Sequence, residues 1–139
     1  MPARFNRSWE RDAVIVACAI SAGIHAALTP EHLAEGAAAG VAFGASAALL
    51  AGLCVALTVR PGVVPLVAAF LLLAGLVAAY GLAVTSGLPV LHPEAEPVEG
   101  LAVATKAVEL LGLAAAAHLV LCARELPMAV GPRPKGRFA

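Results

Sequence analysis

PEHLAEGAAAGVAFGASAALLAGLCVALTVRPG, residues 30–62, decides how the whole chain is read. Between Gly36 and Val59 it contains no charged residue, and Arg60-Pro61-Gly62 closes it. An apolar block of this length without a charge is read as a helix crossing a bilayer. Thr29-Pro30 has the form of an N-cap followed by a first helical residue, so the helix is expected to start there and run to Val59. Thirty residues make a helix of about 45 Å, longer than the ~30 Å hydrocarbon core, so the turns from Pro30 to Gly36 are expected to protrude.

Three further blocks flank this one. One runs from Asp12 to about Leu28 behind a basic leader containing Arg4, Arg7 and Arg11. A signal peptide has the same outline, but the chain starts at Met1 and the block is expected to be kept as a span. Another covers about 63–86, with Pro65 in its first turn, where proline is tolerated. The last covers about 97–124, ahead of a Pro/Gly-rich basic tail at 125–139. Composition agrees: 61% of residues are hydrophobic and 13% charged, about half the charge of an ordinary soluble domain. Net charge is zero, which excludes a polyanion-binding surface as the organising feature; no nucleic-acid partner is expected.

Charge placement orients the spans. Arg4, Arg7, Arg11, Arg60, Arg124, Arg133, Lys135 and Arg137 fall on one side of a four-span arrangement, whereas the segments around 29–36 and 87–99 hold no Lys or Arg. By the positive-inside rule both termini are cytoplasmic. The expected fold is an all-α, antiparallel four-helix bundle in the cytoplasmic (inner) membrane, a single transmembrane domain with N-in/C-in topology. Glu31, Glu35, Glu94, Glu96 and Glu99 gather on the opposite, outer side.

Gly36, Gly40, Gly44, Ala48 and Gly52 recur every fourth residue. They form a small-xxx-small face that admits another helix closely, either within the chain or from a partner in a homo-oligomer or a larger membrane complex. The three cysteines, Cys18, Cys54 and Cys122, lie in apolar blocks without paired spacing and are read as small hydrophobic residues.

Candidate chemistry concentrates at the outer side. His25 closes the first block, His32 and Glu35 lie three apart on a helix, and His92 precedes Glu94, Glu96 and Glu99. Imidazole with carboxylate is a ligand set for divalent transition metals such as zinc or copper, and His25, His32, Glu35, His92 and Glu99 are the candidate ligands. Interfacial histidines without a ligand, or a proton-responsive group, give the same pattern. Lys106 and Glu109 share a face of the fourth span, with Glu109 about 15 Å below Glu99, near mid-bilayer. Ionisable residues at that depth either carry function or neutralise one another. His118 lies about 13 Å further along the same helix, too far from Glu109 for direct proton transfer. Tyr80, Thr85, Ser86 and Thr105 could line a small polar cavity in the outer half. No nucleophile–base pair or cofactor motif stands out, which weighs against an enzyme.

The stretches SAGIHAALTPEHLAE (21–35), TSGLPV (85–90) and EPVEG (96–100) together resemble small four-span membrane proteins of high-GC Gram-positive, actinobacterial-type bacteria. The resemblance covers about a third of the chain. It implies that His25, His32, Glu35 and Glu99 belong to one outer site. Those proteins carry an aromatic residue after the position of Glu35, where this chain has Gly36. Two readings follow: metal-ion handling at the outer face, or an accessory subunit docking through the glycine stripe.

Overall fold

The computed structural model describes residues 3–89, 91 and 94–124, so His92 and the basic tail at 125–139 lie outside the described residues. Four helices make up the chain: α1 (Ala3–Glu35), α2 (Ala37–Val59), α3 (Val63–Ser86) and α4 (Gly100–Arg124). Each is long and apolar enough to cross a membrane.

The first helix break differs from the expected one. α1 continues through Thr29-Pro30 and stops at Glu35, so the overlong helix is α1, with 33 residues, and α2 has 23. Proline at position 30 removes one backbone donor but leaves the rest of the ladder intact. Thr29 Oγ1 donates to the His25 carbonyl at 2.7 Å, the kind of hydroxyl contact that helps apolar helices tolerate proline. A single residue, Gly36, separates the two helices. Its N–H bonds to the His32 carbonyl at 3.0 Å, and its own carbonyl accepts from Gly40 at 3.1 Å, so the turn leaves neither group orphaned.

A one-residue turn forces α2 straight back along α1. Residues at the crossing must therefore be small. A Cβ on Gly40 would meet the Leu33 side chain and lie 2.7 Å from Leu33 Cα, and one on Gly44 would reach Thr29 Cγ2 at 3.5 Å. Further along, Cys54 Sγ donates to the Ile15 carbonyl at 3.4 Å, keeping the pair antiparallel over its length. Two glycines of the stripe are thus consumed inside the chain. Gly36 is the turn itself, and Gly52 has nothing near its Cα to meet a side chain.

α1 is the hub, packing along α2 and α4, while α3 leans chiefly on α4. α2 and α3 touch only slightly, and α2 and α4 do not meet. Gly112 sets the closest approach of α4: a Cβ there would lie 2.5 Å from Ala17 Cβ and 3.2 Å from Leu73 Cδ1. At the other end of α3, Gly87 adopts φ 72°, a left-handed conformation suited to glycine, and turns the chain into the loop before α4. α4 begins at Gly100, three residues later than the expected Pro97, with Val103 N–H bonded to the Glu99 carbonyl at 3.0 Å.

The core is built from Val14, Cys18, Leu50, Leu57, Ala69, Leu73, Ala116 and Leu119. It fills the half of the bundle nearer the termini. Large apolar side chains also cover the outside: Val64, Leu111 and Val59 are 81%, 72% and 68% exposed. An exterior of this kind needs an apolar solvent rather than water.

Candidate functional site

The end that carries the α1–α2 turn and the α3–α4 loop, called here the turn end, is not filled. A cavity of about 550 Å³ lies there, walled by all four helices and the loop before α4. The packing leaves room for it: α2 touches α3 only slightly and makes no close backbone approach to α4.

His25, His32, Glu35 and Glu99 all line this cavity, as do Glu31 and Glu96, which come from α1 and the loop. The sequence-predicted residues are therefore gathered, apart from His92, which is outside the described residues. They are not gathered as a chelate. Phe43 of α2 packs against both imidazoles, with ring centroids 5.2 Å from His25 and 3.8 Å from His32. His32 Nδ1 is 2.9 Å from Glu35 Oε2. Among the described residues, no group of three or more His, Cys, Asp or Glu side chains is placed to hold a metal ion.

Lys106, which lines the cavity, connects it to a fully buried polar unit beneath. Glu109 is fully buried and accepts two short hydrogen bonds, from Ser21 Oγ at 2.6 Å and from Lys106 Nζ at 2.6 Å. Lys106 also stands 5.6 Å from the centre of the Tyr80 ring and 3.5 Å from the Leu76 carbonyl. One carboxylate thereby ties α1 to α4, and its ammonium partner ties α4 to α3. Lys106 and Glu109, which share a face of α4, thus form a direct ion pair.

His25 sits directly above this unit. Its Nδ1 lies 2.8 Å from the Ser21 carbonyl, which can only accept, so Nδ1 carries the hydrogen and Nε2 is the nitrogen left for another partner. Tyr80 Oη is buried with no hydrogen-bond partner among the described residues and belongs to a side chain that lines the same cavity. Thr105 lines it too, but its hydroxyl donates to the Leu101 carbonyl at 2.7 Å. Thr85 and Ser86, expected at a polar cavity, instead bond back to carbonyls of their own helix at Gly81 and Leu82.

His118 lies at the opposite end of the bundle. Its Nδ1 is 3.0 and 3.1 Å from the two carboxylate oxygens of Glu10, and its Nε2 is 3.6 Å from Cys122 Sγ. Sequence reading missed Ser21, Phe43, Glu10 and Gly112. Only the His118–Cys122 contact had a local signal, a spacing of four on one helix. Comparison with known protein families, curated proteins and solved structures finds no match to this chain.

Proposed function

We propose that this chain is a multi-pass membrane protein, both termini inside, that captures a small amphiphilic organic cation in the cavity at its outer end. One observation carries the reading. The cavity mouth holds Glu31, Glu35, Glu96 and Glu99, while the cavity's one Lys or Arg, Lys106, is already neutralised by Glu109. Negative potential at a low-dielectric mouth concentrates cations. The walls are apolar, with Ile24, Leu28, Phe43, Leu76, Leu91 and Leu101 facing the space. Such a site favours a molecule with a hydrocarbon body and one positive group over a bare ion, because apolar walls cannot replace an ion's hydration shell. The volume suits a ligand of modest size. His25 Nε2 and the Tyr80 hydroxyl supply polar contacts at the inner end of the space.

Support for the membrane placement is the four long apolar helices and the absence of Lys and Arg from the connecting segments 29–36 and 87–99. The test is binding to chain reconstituted in lipid nanodiscs, comparing a hydrophobic quaternary ammonium with its uncharged carbon isostere. The cation is expected to bind, the isostere to bind at least about tenfold more weakly, and Glu31→Gln with Glu99→Gln to erase the difference. Equal binding of the two, or binding that persists in Ala83→Phe, which places a ring in the cavity, would remove this reading.

A further inference from the structure

The termini end holds a second arrangement that the cavity does not use. Cys122, His118 and Glu10 stand in line: Sγ to Nε2 at 3.6 Å, then Nδ1 to the carboxylate at 3.0 Å. A carboxylate accepts, so Nδ1 carries the hydrogen and Nε2 turns its lone pair to the thiol. This is the tautomer a general base requires. The two contacts use opposite edges of the imidazole, which is why the group does not form a chelate.

Placement indicates what the thiol would meet. His118 and Cys122 occupy the last two turns of α4, at the edge of its apolar stretch, and Glu10 stands at the matching level of α1. The His118 side chain is 59% exposed and shares an outward face with Leu111, Ala114 and Leu121. Leu111 and Leu121 are 72% and 58% exposed, so this face meets the surrounding hydrocarbon if the chain spans a bilayer. Glu10, in contrast, is buried beneath it. A nucleophile and base that open on the lipid side, at the cytoplasmic boundary, would meet reactive groups attached to acyl chains.

We propose that Cys122 is an acyl-accepting nucleophile for a long-chain acyl thioester at the inner membrane surface, with His118 as its base and Glu10 as the positioning residue. Sγ bonds to the acyl carbonyl carbon while the S–H proton passes to His118 Nε2. Collapse of the adduct breaks the donor's C–S bond, and the departing sulfur takes the proton from Nε2. The products are a Cys122 thioester and a free thiol; no oxidant or reductant enters. Glu10 holds the ring and stabilises the transient imidazolium. The proposal shares the membrane placement of the preceding section but not the cavity.

The experiment is acyl transfer from palmitoyl-coenzyme A to the full chain in liposomes, read residue by residue by peptide mass spectrometry. Cys18 and Cys54 serve as internal controls, the first fully buried and the second bonded to the Ile15 carbonyl. Label is expected on Cys122, released by neutral hydroxylamine, with a rate that falls at least about tenfold in His118→Ala and recovers on adding imidazole. Glu10→Gln should slow it several-fold at an unchanged melting temperature. If His118→Ala fails to fold, His118→Asn, which keeps a donor towards Glu10 but supplies no base, takes its place. Equal labelling of Cys122 and Cys54, or a Cys122 rate indifferent to residue 118, overturns the proposal. Failure of the cavity to bind cations leaves this result unaffected, so the two readings fail separately.

Discussion

The two ends of the bundle use the same residue types to opposite effect. At the turn end, two described histidines and four glutamates line one space, and His32 approaches Glu35 at 2.9 Å. At the termini end, one histidine and one glutamate meet at 3.0 Å and are joined by a thiol. The first set is spread around a cavity, whereas the second stands in line. The difference comes from packing. α1 and α4 close tightly around Ala17 and Gly112, and Glu10 meets His118 across the same pair of helices, whereas α2 and α3 touch only slightly and a cavity remains at the turn end. A dense set of functional residues in sequence is therefore no guide to a dense set in space. The floor of Ser21, Lys106 and Glu109 marks the boundary between the two regimes.

The sharpest way to break this comparison is to remove that boundary. Glu109→Leu leaves Lys106 with no charge partner in an apolar surrounding and should destabilise the bundle by about 3–5 kcal/mol. The double change Lys106→Met with Glu109→Leu should recover most of it, since a buried pair replaced by apolar side chains is often neutral. Reversible unfolding in mixed micelles measures both. A single variant as stable as the parent would mean the pair does not tie the helices together.

Next in size is a volume contrast. Ala116→Phe inserts a ring into the filled half, where the parent side chain is fully buried, and should cost about 1–3 kcal/mol or more. Ala79→Phe, at a partly buried position on the cavity wall, places the same ring against open space and should change stability by less than about 1 kcal/mol. Equal costs at the two sites would show that the turn end is as tightly packed as the core.

The glycine stripe gives a graded series within one helix. Gly40→Ala, which presses on Leu33, should lose about 1–3 kcal/mol. Gly44→Ala meets only ordinary contact with Thr29 and should cost less. Gly52→Ala faces open space and should fall within about 0.5 kcal/mol, or stabilise slightly by restricting the unfolded chain. A loss at Gly52 to match that at Gly40 would point to a partner helix on the uncovered half of the stripe.

Much of this was legible in the sequence, and for identifiable reasons. Four helices and half of their limits, at 59, 63, 86 and 124, follow from apolar length, because a backbone in an apolar solvent has few ways to satisfy its polar groups; α1 instead begins at Ala3, inside the basic leader. The shared placement of His25, His32, Glu35 and Glu99 followed from their position near helix ends on one side of the chain. The turn did not. Thr29-Pro30 has the local form of a helix start, but Pro30 is carried inside α1, and Gly36, whose only signal was its place in a stripe, makes the turn. Long-range pairs were hidden for a different reason. Ser21 with Glu109, and Glu10 with His118, are separated by 88 and 108 residues. Their meeting depends on how α1 registers against α4, which Ala17 and Gly112 set. Metal ligation was inferred from ligand types alone, and the placement of Phe43 against both His25 and His32 could not be read from them.

The central claim is that the cavity opens outward through an acidic mouth. Ser46 lies on its α2 wall, so Ser46→Cys, in a chain whose Cys18, Cys54 and Cys122 are replaced by Ala, puts a reporter thiol there. In sealed vesicles of right-side-out orientation, the rate of modification would be compared for membrane-impermeant cationic and anionic thiosulfonates of equal size. The account predicts labelling from the outside, with the cationic reagent faster by about tenfold or more at low salt and the ratio shrinking as salt is raised. Labelling only from the inside, or equal rates for the two reagents, would contradict it.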